Sequence, residues 1–208
     1  MNLPVRAARL LSCGWAAILL SALFLNAASA ADDPHSQHQR ALSNSSIKRS
    51  LVEVDLRPIA LVRQDGVPVT LVSELADKKP VVLAFIYTSC TTVCPVTSQI
   101  LARTQALLGK EKDKVHLVSI SIDPEYDTPE RLLEYSKRFD AKPQWQHYTG
   151  TLANSIAVQK AFKAYRGDKM NHAAVMFVNG GGMKSWVRLD GFPTAEDLLR
   201  ELREQING

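Results

Sequence analysis

PVVLAFIYTSCTTVCP, running from Pro80 to Pro95, decides how the chain folds. Val81 to Tyr87 is a near-continuous apolar run, and its length, β-branched content and lack of alternation suit a strand covered on both faces by helices. Thr88 and Ser89 open a polar turn that delivers Cys90 and Cys94 to the mouth of a helix. Pro95 suits the first helical position, where its missing N–H would have no intrahelical partner.

Downstream, Val96, Ile100, Leu101, Leu107 and Leu108 give the apolar stripe of a helix packed on a sheet, and Gly109 can end it. VHLVSISI (115–122) predicts the next strand, joined to the first by a right-handed parallel crossover. Thr128-Pro129-Glu130 is a capped helix start, with a helix expected to about Phe139. Trp145 to Tyr148 suits a short strand, Thr151 to Tyr165 a helix and Ala173 to Val178 a strongly apolar strand. Three glycines, read as a flexible turn, lead to Ser185–Leu189, and Thr194 caps a last helix faced by Leu198, Leu199, Leu202 and Ile206. Upstream, Leu51 to Val62 and Val67 to Leu71 flank Arg63-Gln64-Asp65-Gly66, the pattern of a hairpin, with Pro68 placing its second strand at an edge. An α/β domain follows, with a mixed central sheet between helical layers and an N-terminal hairpin.

At 208 residues the chain has room for one such domain. Its first thirty residues have the layout of a secretory signal: Arg6 and Arg9, an apolar run from Ala16 to Leu25, then Ala28-Ser29-Ala30 with cleavage expected after Ala30. An uncleaved anchor is the alternative, and would bring the domain to a membrane. Removing Arg6 and Arg9 and no acid takes the formal charge from +4 to +2, which leaves no footprint for nucleic acid. Residues 31–50 are polar and aperiodic, a flexible linker carrying His35 and His38, and the folded domain is expected over 51–208. The Cys13 thiol leaves with a cleaved signal, so the exported chain keeps two cysteines. One close pair in a domain large enough to fold by burial points to redox or metal chemistry rather than a disulfide framework.

The spacing Cys-x-x-x-Cys at a helix start has a physical use, since the dipole and free N–H groups favour a thiolate at the second cysteine. Thiolates attack disulfides and also bind metals, and the motif alone does not choose. His172, just before the late apolar strand, is the candidate third ligand; two thiolates and an imidazole suit copper, as Cu(I) through the sulfurs and Cu(II) through the nitrogen. His116 and His147 are simpler as strand or surface residues, and Met170 as a packed or loop residue.

Three segments together resemble the Sco/SenC family of copper-binding cytochrome oxidase assembly proteins: FIYTSCTTVCP, SIDPEYDTPERL and His172 in NHAAVMFV. The resemblance runs from about Leu51 to the C-terminus. It implies a thioredoxin-like fold and one copper ion held by Cys90, Cys94 and His172. It also implies a monomeric metallochaperone, exported to the periplasm or a similar compartment, with anchoring at the inner membrane as the alternative. Its partners would be the copper-receiving subunit of a respiratory oxidase and a copper donor or thiol-disulfide partner. Thiol-disulfide exchange by Cys90 and Cys94 is the alternative activity. Asp123 and Asp127 match acidic positions of the family, though turn and capping roles account for them. Thr91 stands where family members often have proline, Asn171 where they often have an acid, and glycines where many turn through Pro-Asp-Gly.

Overall fold

The computed structural model describes residues 47–182 and 184–207. The segment expected to direct export, and the linker up to Ser46, lie outside the described residues. The chain runs β1 (Lys48–Glu53), β2 (Ala60–Arg63), β3 (Pro68–Thr70), α1 (Leu71–Glu74), β4 (Val81–Ile86), α2 (Val93–Leu108) and β5 (His116–Ser121). It continues through α3 (Pro129–Arg138), β6 (Trp145–Thr149), α4 (Leu152–Ala161), β7 (Val175–Asn179), β8 (Ser185–Asp190) and α5 (Ala195–Asn207). The strands form one sheet in the order β1-β8-β7-β4-β5-β6-β2-β3. β4, β5 and β6 are mutually parallel, and the remaining pairs are antiparallel, so the expected mixed sheet is present.

β4 is central and buried throughout. Its alternation divides the interior: Val81, Leu83 and Phe85 join Leu132 and Tyr135 of α3, Val158 of α4 and Phe162 at the end of α4. On the opposite face Val82 and Ala84 join Leu101 and Leu108 of α2 and Leu198, Leu199 and Leu202 of α5. Side chains on successive strand residues point to opposite faces, which is why an unbroken apolar run serves both layers.

The hairpin β2–β3 turns at Asp65-Gly66, where Gly66 takes φ 84° and the Asp65 carboxylate accepts the Val67 N–H. β3, with Pro68, lies at the sheet edge as expected. The stretch before it differs from expectation. Leu51 to Val62 divides between β1 and β2 on opposite sides of the sheet, and β1 starts at Lys48, inside the stretch read as linker. Lys48, Arg49 and Ser50 pair with Asp190, Leu189 and Arg188 of β8, and Arg49 makes a bidentate ion pair with Glu201 at 2.8 and 2.9 Å. An open ladder edge on β8 and a buried acid on α5 thus order residues whose polarity alone suggests a tether.

The glycine turn is closely packed rather than loose. A side chain at Gly180 would meet the Gln205 carbonyl oxygen at 2.1 Å, and one at Gly181 (φ 105°) would meet that of Lys78 at 2.0 Å. Only glycine admits that approach. α4 stops at Ala161, short of the expected Tyr165, where Phe162 caps it and Lys163 turns to φ 54°.

Candidate functional site

Tyr87 leaves β4 still buried, and the chain then turns sharply: the Cys90 N–H donates to the Tyr87 carbonyl at 3.2 Å. The Tyr87 N–H donates to Cys94 Sγ at 3.4 Å, and the Cys94 N–H donates to Cys90 Sγ at 3.4 Å. α2 starts at Val93, two residues ahead of Pro95, and its cap residue Thr92 makes no side-chain cap bond. The Cys90 sulfur takes up an N–H of the first turn instead, and Pro95 occupies the third position, where its lack of a donor still costs nothing.

Both cysteines are free thiols in unequal settings. Burial pushes the Cys90 thiol up, but the N–H groups of Cys94 and Thr92, helped by the Cys94 thiol and the Tyr87 hydroxyl, outweigh it and bring it down to about 7. Burial drives the fully enclosed Cys94 thiol well above its ordinary range, against the Tyr87 N–H and with Cys90 and Asp127 adding to the rise. Helix-start stabilisation of a thiolate, expected at the second cysteine, therefore falls on the first. The reason is that N–H groups favour the sulfur they point at, and these point at the residue preceding the helix.

The Thr88–Cys90 turn is clamped from the loop after β5. The Asp127 carboxylate is 0% exposed and accepts the Thr88 N–H at 3.1 and 3.2 Å, the Thr88 hydroxyl at 2.5 Å and the Ser121 hydroxyl at 2.6 Å. Burial pushes its carboxyl up, against those donors. Asp127 is thus more than a turn residue: it ties the cysteine loop to the head of α3. Tyr135 of α3 adds a second tie, its hydroxyl 3.3 Å from the Cys94 carbonyl and 2.8 Å from the Ser98 hydroxyl.

His172 follows a single 3₁₀ turn, Lys169–Asn171, capped by the Asp168 carboxylate. Its Nε2 lies 3.0 Å from the Phe85 carbonyl. A carbonyl only accepts, so Nε2 carries the proton and Nδ1 keeps its lone pair. Burial lowers the pKa of the ring, opposed by the bond to Phe85, and so favours neutral imidazole. The Tyr87 ring meets His172 edge-on, with centroids 6.3 Å apart. Tyr87, read from sequence only as the end of an apolar strand, therefore contacts Cys94 through its N–H and His172 through its ring.

Two sulfurs and a neutral imidazole suit a soft or borderline metal ion, and an imidazole whose other N–H is held by a carbonyl is oriented as metal-binding histidines are. The three side chains share one corner but are not drawn together. Among the described residues no three His, Cys, Asp or Glu side chains are gathered closely enough to hold an ion.

His116 and His147 lie elsewhere. The His116 ring pairs with Asp77 at 2.8 Å at the start of β5, the opposite end of the sheet from the loop that follows β4. His147 is fully buried in β6, its Nδ1 3.1 Å from Gln64 Oε1, and burial holds it down at about 3. Met170 lies in the 3₁₀ turn before His172 and is 75% exposed. Asp123 pairs with Lys169 at 2.5 Å and so holds the turn that carries His172. No helix among the described residues is long and apolar enough to cross a membrane.

A family profile described as SCO1/SenC matches residues 56–207. The SCO1 protein homolog of Bacillus subtilis is 33% identical over 114 residues, which cover 53% of this chain and 58% of that relative. The chain spans about half the length of the curated relatives it matches. In three dimensions it is similar to a SCO1/SenC family lipoprotein from Bacillus anthracis, with a TM-score of 0.66 and 26% identity over 76% of this chain and 98% of that one. It is also similar to ScoI of Bradyrhizobium japonicum with copper bound, with a TM-score of 0.57 and 27% identity over 72% and 98% of the two chains.

Proposed function

The chain belongs to the SCO1/SenC family, and on that premise we propose that it is an exported copper metallochaperone. It binds one copper ion through Cys90, Cys94 and His172 Nδ1 and passes it to the copper-receiving subunit of a respiratory cytochrome oxidase. The observation that carries this reading is the hydrogen bond from His172 Nε2 to the Phe85 carbonyl, which leaves a lone pair on the other nitrogen, in the same corner as two free thiols. The copper-bound ScoI relative supports the choice of metal. The sulfurs serve Cu(I) and the imidazole makes Cu(II) tolerable. Binding draws the three ligands closer than they stand without metal, and oxidation of Cys90 and Cys94 to a disulfide competes with it for the same atoms.

The test is a titration of the reduced, metal-free protein and its His172→Ala variant with Cu(I) and with Cu(II). One ion per chain is expected in the parent, with Cu(II) affinity falling further than Cu(I) affinity in the variant. Equal affinity of parent and variant for both ions would sink the three-ligand site.

A second reading, a thiol-disulfide oxidoreductase, is favoured by the unequal thiols. Cys90, held near neutrality as a thiolate, attacks a disulfide of an exported target, and one target sulfur leaves and takes up a proton. Cys94 then displaces the second, leaving the target as a dithiol and Cys90–Cys94 as the disulfide. Thiol exchange that survives His172→Ala while copper binding fails separates the two activities.

A further inference from the structure

Tyr87 has one contact that neither activity has used. Its hydroxyl lies 3.9 Å from Sδ of Met170, a residue that is 75% exposed. A single exposed methionine needs no explanation; its place does. The Tyr87 hydroxyl also reaches the Cys90 thiol, and its ring meets that of His172, so Met170 Sδ, against the same hydroxyl, sits at the rim of the corner that holds the proposed ligands. Met170 is also two residues before His172, on the same 3₁₀ turn, and that turn is held by one exposed-side ion pair, Lys169 with Asp123.

We propose that Met170 is a transfer ligand for Cu(I): its thioether takes the ion at the rim while one of the three resident ligands lets go. The inference rests on the copper reading of the site. A thioether is soft, neutral at every pH and a weaker donor than thiolate, so it favours Cu(I) without holding it against a competing acceptor. The exchange balances simply. A Cu–S bond to Met170 forms as the Cu–N bond to His172 breaks, copper stays Cu(I), no electron moves, and His172 keeps its neutral form. The ion then stands at the surface, where an acceptor's ligands reach it and displace the cysteines, whose released thiolates take up protons from water. Without Met170 the same path requires Cu(I) to leave a buried pair of sulfurs unassisted.

The test uses the full chain, reduced and loaded with one Cu(I), and follows transfer to a chromophoric Cu(I) chelator. Met170→Leu, close in volume and without sulfur, is expected to slow transfer about tenfold while equilibrium affinity falls only about twofold. In His172→Ala, where one position stands open, the Met170 methyl resonance is expected to shift when Cu(I) or Ag(I) is added, and adding Met170→Leu there should weaken binding about tenfold. Cysteine-dependent Cu(I) binding with an unmoved methyl resonance and an unchanged transfer rate overturns the role of Met170 and leaves the site standing. Failure of the parent protein to bind Cu(I) through its cysteines overturns the site and this inference with it.

Discussion

The cysteine side and the histidine side of the corner are built differently. Thr88 to Cys94 hangs from the buried end of β4, is fixed by two donors of Thr88 to one buried carboxylate, and leads into a helix whose first turn gives an N–H to a sulfur. His172 sits at the end of a one-turn helix on the surface, fixed by its bond to Phe85 and by a Lys169–Asp123 pair whose lysine is partly solvated. The thiols are therefore placed by the core and the imidazole by a tether. An ion bound by all three would meet two preorganised ligands and one that moves to it, which would suit the proposed hand-over of that ion.

The sharpest way to break this contrast is to remove a core-placed ligand. Cys94→Ser puts a shorter, harder donor where a sulfur is fully enclosed, and we expect copper retention to fall below detection by equilibrium dialysis, whereas His172→Ala should keep measurable Cu(I). Comparable losses in the two variants would show that the tethered side matters as much as the core side. Next in size is Asp127→Ala, which leaves the Thr88 N–H and the Ser121 hydroxyl without their buried acceptor. Urea unfolding of the metal-free protein should show a loss of about 3 kcal/mol, and copper affinity should fall roughly 10- to 100-fold as the cysteine loop loosens. A loss within experimental error would mean that the loop is held by the Cys–Tyr87 and Tyr135 bonds without Asp127.

The same contrast explains what could be read in the sequence. The strand, the turn, the helix and both cysteines lie within sixteen consecutive residues, Pro80 to Pro95, so apolar run, breakers and spacing state them together. The hairpin edge at Pro68 and the caps at Thr128 and Thr194 were legible for the same local reason. Asp127 was visible as a turn residue, but its grip on Thr88 joins loops 39 residues apart, and no local pattern reports that. His172 was a candidate from its place before the late apolar strand and was singled out by the family resemblance, but its bond to Phe85 spans 87 residues and no local pattern reports that. The start of β1 and its place beside β8 were missed because its order comes from β8 and Glu201, far along the chain. The reversal between Cys90 and Cys94 was hidden for a finer reason: spacing says which residues are near a helix start but not which sulfur its N–H groups face.

Acid should attack the core-placed side first. His147 stacks on Trp145 and meets the Tyr135 ring edge-on, behind the hydroxyl that reaches the Cys94 carbonyl. Burial holds His147 down at about 3 in the folded chain, against an ordinary value of 6.5. Between those values the unfolded state takes up a proton that the folded state refuses, so stability falls as pH falls from about 6.5 and levels off below about 3. At pH 5 the loss should be about 2 kcal/mol relative to neutral pH. Chemical denaturation of the metal-free protein across that range checks it, with His147→Gln as the comparison that should flatten the slope. An equally steep slope in the variant would assign the loss to other groups.

The smallest effect tests the tether itself. Lys169 pairs with Asp123 at 2.5 Å, but the lysine side chain is 41% exposed, so solvent screens the pair and its loss should cost about 0.5 kcal/mol or less in global stability. Its local consequence is separable. The pair closes the turn from which His172 reaches the Phe85 carbonyl, and Lys169→Ala leaves the 3₁₀ turn dependent on its Asp168 cap. Hydrogen exchange at Asn171 and His172 should therefore quicken while exchange along β4 stays as in the parent, and Cu(II) affinity, which leans on the imidazole, should fall more than Cu(I) affinity. If exchange quickens along β4 and the turn together, the two sides are one cooperative unit and the division between core-placed and tethered ligands fails.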